Sequence, residues 1–287
     1  MSVAPSRRAL RARRRLGQLL GRRGAAVAGG PAVHAMGLVF PGVVGLAAGF
    51  DLRGRLRRRA RALGLAAIEA GTLHAGAPAL RRLARGAASV PCGISLGKRP
   101  GTPWAAAGAE LARVLDGCHR LADYVVLNPG RERPSPPVFA RVVAELSAHR
   151  TALARRGGRR LALAVKLPPA WLRGAQGIEP AHLMAAAGAD ALLVSAEGMS
   201  EPEARAVLRR LDAVLGHRLC LISVGASTVR RRSGGACVPA PVCCRCTGSW
   251  RRGGRPSSPG WGAGRGHGEV PADRPCRCVS VQVGRRG

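Results

Sequence analysis

Short apolar runs alternate with longer segments of helical spacing between Met36 and Thr228. Each run is a nearly continuous stretch of Val, Ile, Leu and Ala, which is typical of strands in a parallel sheet that helices cover. Seven such runs occur, at residues 43–48, 66–70, 92–96, 124–127, 161–165, 191–194 and 219–224. The pattern predicts a repeated strand–helix unit.

The intervening segments place apolar residues three and four positions apart, which predicts helices. The clearest are residues 55–63, 104–115, 138–155 and 201–215. No Gly-x-Gly-x-x-Gly loop follows the first run, so a barrel is favoured over an open dinucleotide-binding sheet. The sequence therefore predicts an α/β fold of the TIM (β/α)8 type with seven recognisable strands. The short run 279–283 is disfavoured as the eighth strand, because a long Gly- and Pro-rich stretch precedes it.

Charge changes this picture only at the ends of the chain. The chain has 47 Lys and Arg against 15 Asp and Glu, a formal net charge of +32. Aromatic residues make up 3%, which leaves few surfaces for base stacking, so a nucleic-acid partner is not expected. Residues 1–35 form a basic leader without an acidic residue. It lacks the apolar core of a signal peptide, so a cytoplasmic location is expected, with the leader either flexible or resting peripherally on an anionic membrane surface.

Ligands of such barrels bind at the carboxyl ends of the strands. Read in chain order, these ends and their neighbours spell MGLVFPGVVGLAAGFD, AIEAGT, ISLGK followed by GTP, YVVLN, LAVK and ISVGA. In this order and spacing the segments resemble the dihydroorotate dehydrogenases, especially the membrane-associated class that uses quinone. The resemblance covers residues 36–228, which we take as the barrel domain.

The resemblance implies an FMN enzyme that oxidises dihydroorotate to orotate in pyrimidine biosynthesis, with a quinone as electron acceptor. It implies that FMN contacts nine residues: Ala47, Ala48, Gly49, Thr72, Ser95, Asn128, Lys166, Ser195 and Gly225. Asn128 would also bind the substrate. Thr72 and Asn128 also allow a purely structural interpretation, in which Thr72 ends a strand and Asn128 starts a turn. Lys166 ends a buried apolar strand and needs a partner, for which a bound anion is the simplest candidate.

The chain departs from the family where the proton-removing base should be. The resemblance places that base, a serine, at the position of Arg131, and an arginine stays protonated. The substrate-binding asparagine that follows is replaced by Arg133, and the family lysine of the first strand end by Leu52. Neither Glu132 nor Ser135 has a spacing that supports it as a replacement base. The expected function is therefore an impaired or inactive dihydroorotate dehydrogenase.

Two alternatives remain at this point. The first is a flavin enzyme for another anionic substrate, attracted by Arg131 and Arg133. The second is a non-catalytic basic binding protein that keeps the barrel as a scaffold.

Composition changes abruptly after Thr228. Residues 229–287 hold 12 Arg, 12 Gly and six Cys and predict a disordered tail or a shifted reading frame. Reading the codons of residues 237–250 one frame over permits RAGAGLLQVYREL, which resembles the family's eighth strand and phosphate-binding loop. A frame shift near Thr228 would leave FMN weakly bound or lost. The tail cysteines lack the spacing of a zinc site, so no metal is expected, and Cys92, Cys118 and Cys220 are expected to be core residues.

Overall fold

A barrel of eight parallel strands forms the centre of the protein. The computed structural model describes residues 32–52, 54–74, 87–173, 175–216, 219–225 and 280–282. Its strands are β1 (Val33–Ala35), β2 (Leu38–Phe40), β3 (Val44–Asp51), β4 (Ala67–Leu73), β5 (Cys92–Leu96), β6 (Tyr124–Leu127), β7 (Ala162–Leu167), β8 (Ala191–Ser195), β9 (Cys220–Gly225) and β10 (Ser280–Gln282). Strands β3 to β9 pair in chain order, and all these pairs are parallel.

The predicted TIM-type barrel is confirmed, because the seven predicted runs coincide with β3 to β9 within a few residues at each end. Small and apolar side chains alternate between the two faces of each strand. In β6, for example, Val125 and Leu127 belong to the cluster that packs against the helices, whereas Tyr124 and Val126 belong to the cluster inside the barrel. A barrel wall covered on both faces requires this nearly continuous burial.

The eighth strand is a correction to the sequence prediction. The disfavoured run does contribute a strand, since β10 pairs in parallel with both β9 and β3 and closes the barrel. The partners are Ser280 with Val44 and with Ser223, and Val281 with Gly45 and with Val224. A long chain segment before a strand does not prevent pairing, because the entropy of closing a loop grows only slowly with its length. The rest of the 229–287 tail lies outside the described residues.

A hairpin that the sequence analysis missed lies before the barrel. Strands β1 and β2 pair in antiparallel fashion through a two-residue turn at Met36 and Gly37, whose φ angles are 55° and 75°. Gly at the second turn position is the local signal for such a hairpin. Phe40 packs edge-on against Tyr124 inside the barrel, with ring centroids 6.2 Å apart. The hairpin therefore covers the amino-terminal end of the barrel and straddles the expected boundary between residues 35 and 36.

Five α-helices lie among the described residues, on the outside of the wall. They are α1 (Ala107–Cys118), α2 (Pro136–Arg155), α3 (Pro169–Leu172), α4 (Glu179–Ala186) and α5 (Glu201–Leu215). Three of the four predicted helices are confirmed as α1, α2 and α5. Helix α5 starts at a capping box, in which Ser200 and Glu203 bond each other's backbone N–H groups, the sequence signature of a helix start. None of the described helices is long and apolar enough to cross a membrane.

The predicted helix at residues 55–63 is wrong in type. The segment forms successive turns and ends in a short 3-10 helix, Arg61–Leu63. Its hydrogen bonds include three-residue spans, such as Arg59 N–H to the Leu56 carbonyl. Asp51 accepts the N–H groups of Arg55 and Leu56 at 2.8 and 2.7 Å, which fixes the first turn. The buried carboxylate of Asp51 therefore starts a turn and does not face the barrel interior.

The core has an outer and an inner part. The outer part fills the space between strands and helices and includes Trp104, Phe139 and Leu127. The inner part fills the barrel with mostly small side chains, such as Ala162, Ala164 and Ala191. Cys92, Cys118 and Cys220 are all buried, which confirms their expected role as core residues.

Candidate functional site

The carboxyl ends of β4, β5 and β6 bring three polar side chains together at the mouth of the barrel. Thr72 Oγ1 lies 3.1 Å from Ser95 Oγ, and the Asn128 amide nitrogen donates to Thr72 Oγ1 at 3.4 Å. Asn128 Oδ1 accepts the Gly130 N–H at 3.1 Å. We call Thr72, Ser95 and Asn128 the rim triplet. The interpretation of Thr72 as a strand end and of Asn128 as the start of a turn is thus compatible with a binding site, because these side chains also face one another.

Two glycines make room for this arrangement. A Cβ on Gly71 would lie 2.7 Å from the Ser95 carbonyl oxygen, and Gly71 has a φ of +109°. A Cβ on Gly97 would lie 2.8 Å from Thr72 Cγ2 and 3.1 Å from His74 Cε1. Backbone at both positions therefore approaches its neighbours more closely than any other residue would allow.

His74 is a polar residue of the mouth that the sequence analysis missed. It follows β4 directly and is half-buried. Its Nδ1 lies 2.9 Å from the Gly97 carbonyl oxygen. The signal that could have found it is its place two residues after Thr72, at the end of a strand whose end was already a candidate for ligand binding.

The ends of β7, β8 and β9 supply the other candidate residues. Lys166 is half-buried on the inner face of β7, and Ser195 is buried at the end of β8. Gly225 is the last residue of β9. Neither the Lys166 ammonium nor the Ser195 hydroxyl forms a hydrogen bond with another described residue. Within the described part of the chain, this side of the mouth therefore holds polar groups without hydrogen-bonding partners.

A buried carboxyl group lies beneath the mouth. Glu69, on the inner face of β4, accepts the Ala48 N–H at 3.2 Å and the Tyr124 hydroxyl at 3.5 Å. Burial raises the pKa of Glu69 to about 7, although the Ala48 N–H and the Lys166 charge both act to lower it. Glu69 belongs to the AIEAGT segment, but the sequence analysis does not predict it as a site residue. It is the acidic group that faces Lys166.

The first strand end leaves open space above its backbone. Ala47 is buried, Ala48 is half-buried and Gly49 is exposed. Nothing lies within 4 Å of a Cβ placed on Gly49, which has a φ of +97°. A flat ligand could lie against this strand end, because no side chain stands in the way.

The loop after β6 contains the residues that the sequence analysis predicts to depart from the resembled family. Arg131 and Arg133 are exposed. Glu132 forms an ion pair with Lys98, whose side chain is only 7% exposed, and its backbone carbonyl accepts the Trp104 indole N–H at 2.6 Å. Ser135, at the start of α2, is exposed and makes no capping bond with its side chain. The Glu132 carboxylate is therefore already engaged, and Arg131, which the resemblance predicts at the position of the base, is an exposed cation.

The loop after β5 is fixed as well. Glu110 of α1 accepts the Arg99 N–H at 2.5 Å and the Thr102 hydroxyl at 2.9 Å. Lys98 also lies 5.8 Å from the centre of the Trp104 ring, within the range of a cation–π contact. Among the described residues, no group of three His, Cys, Asp or Glu side chains could hold a metal ion. The tail cysteines lie outside this part of the chain.

Comparison with known proteins supports the family resemblance. No family model matches the chain. A dihydroorotate dehydrogenase (quinone) of Chromobacterium violaceum is 29% identical over 251 aligned positions, which cover 67% of this chain and 73% of the relative. The enzyme of the same name from Halorhodospira halophila is 30% identical, with 50% of this chain and 54% of the relative covered. The chain thus spans about half the length of this second relative.

A solved structure shows the same fold. The dihydroorotate dehydrogenase of Eimeria tenella, in complex with ferulenol, superimposes with a TM-score of 0.60 and 17% sequence identity. The match covers 76% of this chain and 80% of that structure. The chain is therefore related in sequence to the quinone-dependent dihydroorotate dehydrogenases and shares their barrel fold.

Proposed function

We propose that the protein is an FMN-binding relative of dihydroorotate dehydrogenase in which the oxidation of dihydroorotate is impaired. The observation that carries this proposal is the loop after β6. Exposed Arg131 occupies the position of the proton-removing serine, and Lys98 engages the neighbouring Glu132 carboxylate. A guanidinium group cannot accept a proton, so this loop provides no base for the reaction.

The residues that would surround the flavin ring fit such a ligand. The space above Gly49 admits a flat ring, and the rim triplet offers hydroxyl and amide groups at one side of the mouth. Lys166 lies on the inner wall without a hydrogen-bonding partner among the described residues. Bound FMN would accept a hydride from the substrate, and the Lys166 ammonium would stabilise the negative charge that this transfer adds.

The phosphate side is the weak part of the proposed site. Phosphate sites of this fold are commonly built by the loops after the seventh and eighth strands. Here Gly225 ends β9, and both loops, residues 226–279 and 283–287, lie outside the described residues. Residues 229–287 do not resemble the family, so we propose that FMN binds weakly. The proposed cause is a shifted reading frame near Thr228, and sequencing the gene would refute this cause if no other frame encodes an eighth strand there.

FMN titration and substrate bleaching together test the function. We expect FMN to bind with low affinity, measured by quenching of its fluorescence. At saturating FMN, dihydroorotate should reduce the flavin much more slowly than in the Chromobacterium violaceum relative, and a soluble quinone should reoxidise it. Turnover equal to that of the relative would refute the impairment, and absence of any FMN binding would refute the flavin enzyme itself.

A second candidate function rests on the two arginines. Arg131 and Arg133 are exposed, and neither guanidinium bonds another described residue. They would attract an anionic substrate other than dihydroorotate to the same mouth. Flavin reduction by a different carboxylate, lost on changing both arginines to Gln, would favour this function over the first.

The remaining parts of the proposal concern location. Relatives of this class use quinone, a lipid-soluble acceptor, so a peripheral place on the cytoplasmic membrane suits the proposed activity. The basic residues of 1–35 would be attracted to anionic lipids. Sedimentation with vesicles that contain anionic lipid, compared with neutral vesicles at several salt concentrations, tests this part.

A further inference from the structure

His74 lies on the inner side of the barrel mouth. The pairing of β4 with β5 shifts between Gly71 and Leu73, so that Leu73 pairs with Leu96 and both pack in the outer cluster. Because successive side chains point to opposite faces of a strand, the residue after Leu73 points to the inner side. The Gly97 geometry agrees, since Thr72 and His74 flank the same hypothetical Cβ.

One hydrogen bond fixes which nitrogen of the ring carries the proton. A carbonyl oxygen can only accept a hydrogen bond, so at 2.9 Å from the Gly97 oxygen the Nδ1 atom must be the donor. In the neutral ring, Nε2 is then left with a free lone pair. No other described residue bonds His74 through Nε2. The imidazole is thus held in one tautomer, and no described residue occupies its basic nitrogen.

Two other candidate bases near the mouth, Glu132 and Glu69, are engaged or inaccessible. Lys98 holds the Glu132 carboxylate. Glu69 is buried beneath the mouth and bonded to the Ala48 N–H. Among the described residues of the mouth, His74 therefore combines a free lone pair, an orientation fixed by the backbone and partial access to solvent.

We propose that His74 is the general base for the slow oxidation that this protein retains, a role that rests on the proposed function. Nε2 takes a proton from one carbon of dihydroorotate, and that C–H bonding pair becomes the second bond to the neighbouring carbon. Bound FMN would be the acceptor of the hydride that the neighbouring carbon loses, with a quinone as the final two-electron oxidant. The imidazolium returns its proton to water.

Nitrogen-15 NMR of the ring tests the tautomer without FMN. Protein labelled with 15N-histidine should show a His74 signal protonated at Nδ1 and unprotonated at Nε2, assigned by its loss in His74→Asn. A His74 ring that carries its proton on Nε2 overturns the inference, whatever happens with FMN.

Single-turnover reduction of the flavin tests the base itself. In His74→Asn the side-chain amide can still donate to the Gly97 carbonyl, but the basic nitrogen is gone. We expect the rate of flavin reduction at saturating FMN and substrate to fall about 100-fold or more, with little change in FMN affinity. Free imidazole should restore part of the rate in His74→Ala.

The control is His119→Asn. His119 also places Nδ1 2.9 Å from a backbone carbonyl, that of Asp116, but lies at the end of α1 and away from the mouth. It should reduce flavin at the wild-type rate. If His74→Asn also keeps the wild-type rate while FMN binds and is reduced, the inference is wrong and the proposed function stands. If wild-type protein binds no FMN, the proposed function is wrong, and the inference, which rests on it, is wrong with it.

Discussion

The two halves of the barrel mouth differ in how their polar groups are satisfied. In the first half, at the ends of β4, β5 and β6, the rim triplet is joined by hydrogen bonds, and His74 is bonded to Gly97. In the second half, at the ends of β7, β8 and β9, Lys166 and Ser195 have no hydrogen-bonding partner among the described residues. Among the described residues, the first half therefore satisfies its polar groups without a ligand, and the second half does not.

This difference suits the first half of the mouth to holding a reacting group in position and the second half to binding a ligand. Polar groups that bond one another keep their geometry in the absence of a ligand, which is the arrangement that a reacting group needs. An ammonium group near a low-dielectric interior gains most from an anion that joins it later. We therefore expect changes in the first half to alter stability and proton transfer, and changes in the second half to alter the binding and the reduction of FMN.

Lys166→Met should have the largest effect. Loss of the ammonium removes the charge that would stabilise the reduced flavin, so flavin reduction should slow about 100-fold or more. At pH 6, where burial keeps the Glu69 carboxyl mostly neutral, the free energy of unfolding of FMN-free protein should not fall, because the Lys166 ammonium hydrogen-bonds no other described residue. Stopped-flow reduction and urea unfolding measure the two quantities.

The matched variant is Lys98→Met, which changes a lysine that already has Glu132 as a partner. Since Glu132 is 67% exposed, we expect a loss of about 1 kcal/mol in stability and little change in FMN affinity. A Lys166 variant that reduces its flavin at the wild-type rate would remove the distinction between the halves.

Glu69 should give the next largest effect, through pH. Its pKa rises from 4.5 to about 7 on folding, mainly because it is buried. Between pH 4.5 and pH 7 the Glu69 carboxyl keeps its proton in the folded protein but has lost it in the unfolded chain. The contribution of Glu69 to the free energy of unfolding therefore falls as the pH rises through this range, and it stays constant above pH 7. The total loss is about 3 kcal/mol.

Glu69→Gln should remove this pH dependence, because the amide stays neutral while its oxygen can still accept the Ala48 N–H. Urea unfolding at pH 5 and pH 8 measures it. The variant should gain stability relative to the wild type at pH 8 and differ little at pH 5. The difference in free energy of unfolding between the wild type and the variant isolates the contribution of Glu69 at each pH. If this difference is the same at pH 5 and pH 8, the raised pKa is wrong.

The wall of the barrel was predictable because its seven strands are buried on both faces and so read as apolar runs. The hairpin was missed because each of its strands has three residues, too few for a period to show. Strand β10 was disfavoured because a long Gly- and Pro-rich stretch separates it from the other strands. The pattern at residues 55–63 was amphipathic, but the bonds to Asp51 and Ser89 favour turns over a continuous helix.

The candidate site was predictable only as far as the strand ends were. Thr72, Ser95 and Asn128 meet because three neighbouring strands end side by side. The tautomer of His74, the pairing of Glu132 with Lys98 and the burial of Glu69 depend on side-chain contacts between segments far apart in sequence. No local pattern encodes such contacts.

The smallest effect should come from single hydroxyl groups, and it compares the halves directly. Thr72→Val keeps the shape of the side chain but leaves Ser95 and Asn128 without the atom that joins them. Ser95 is only 1% exposed, so we expect a loss of about 1 kcal/mol in the free energy of unfolding of FMN-free protein.

Ser195→Ala, in the other half, removes a hydroxyl that bonds no described residue. It should change stability by less than about 0.5 kcal/mol and weaken FMN binding instead, by severalfold. Urea unfolding without FMN and fluorescence titration with FMN give the two numbers for each variant. Equal losses of stability in the two variants would mean that Ser195 already has a protein partner outside the described residues, and the second half of the mouth would then be as complete as the first.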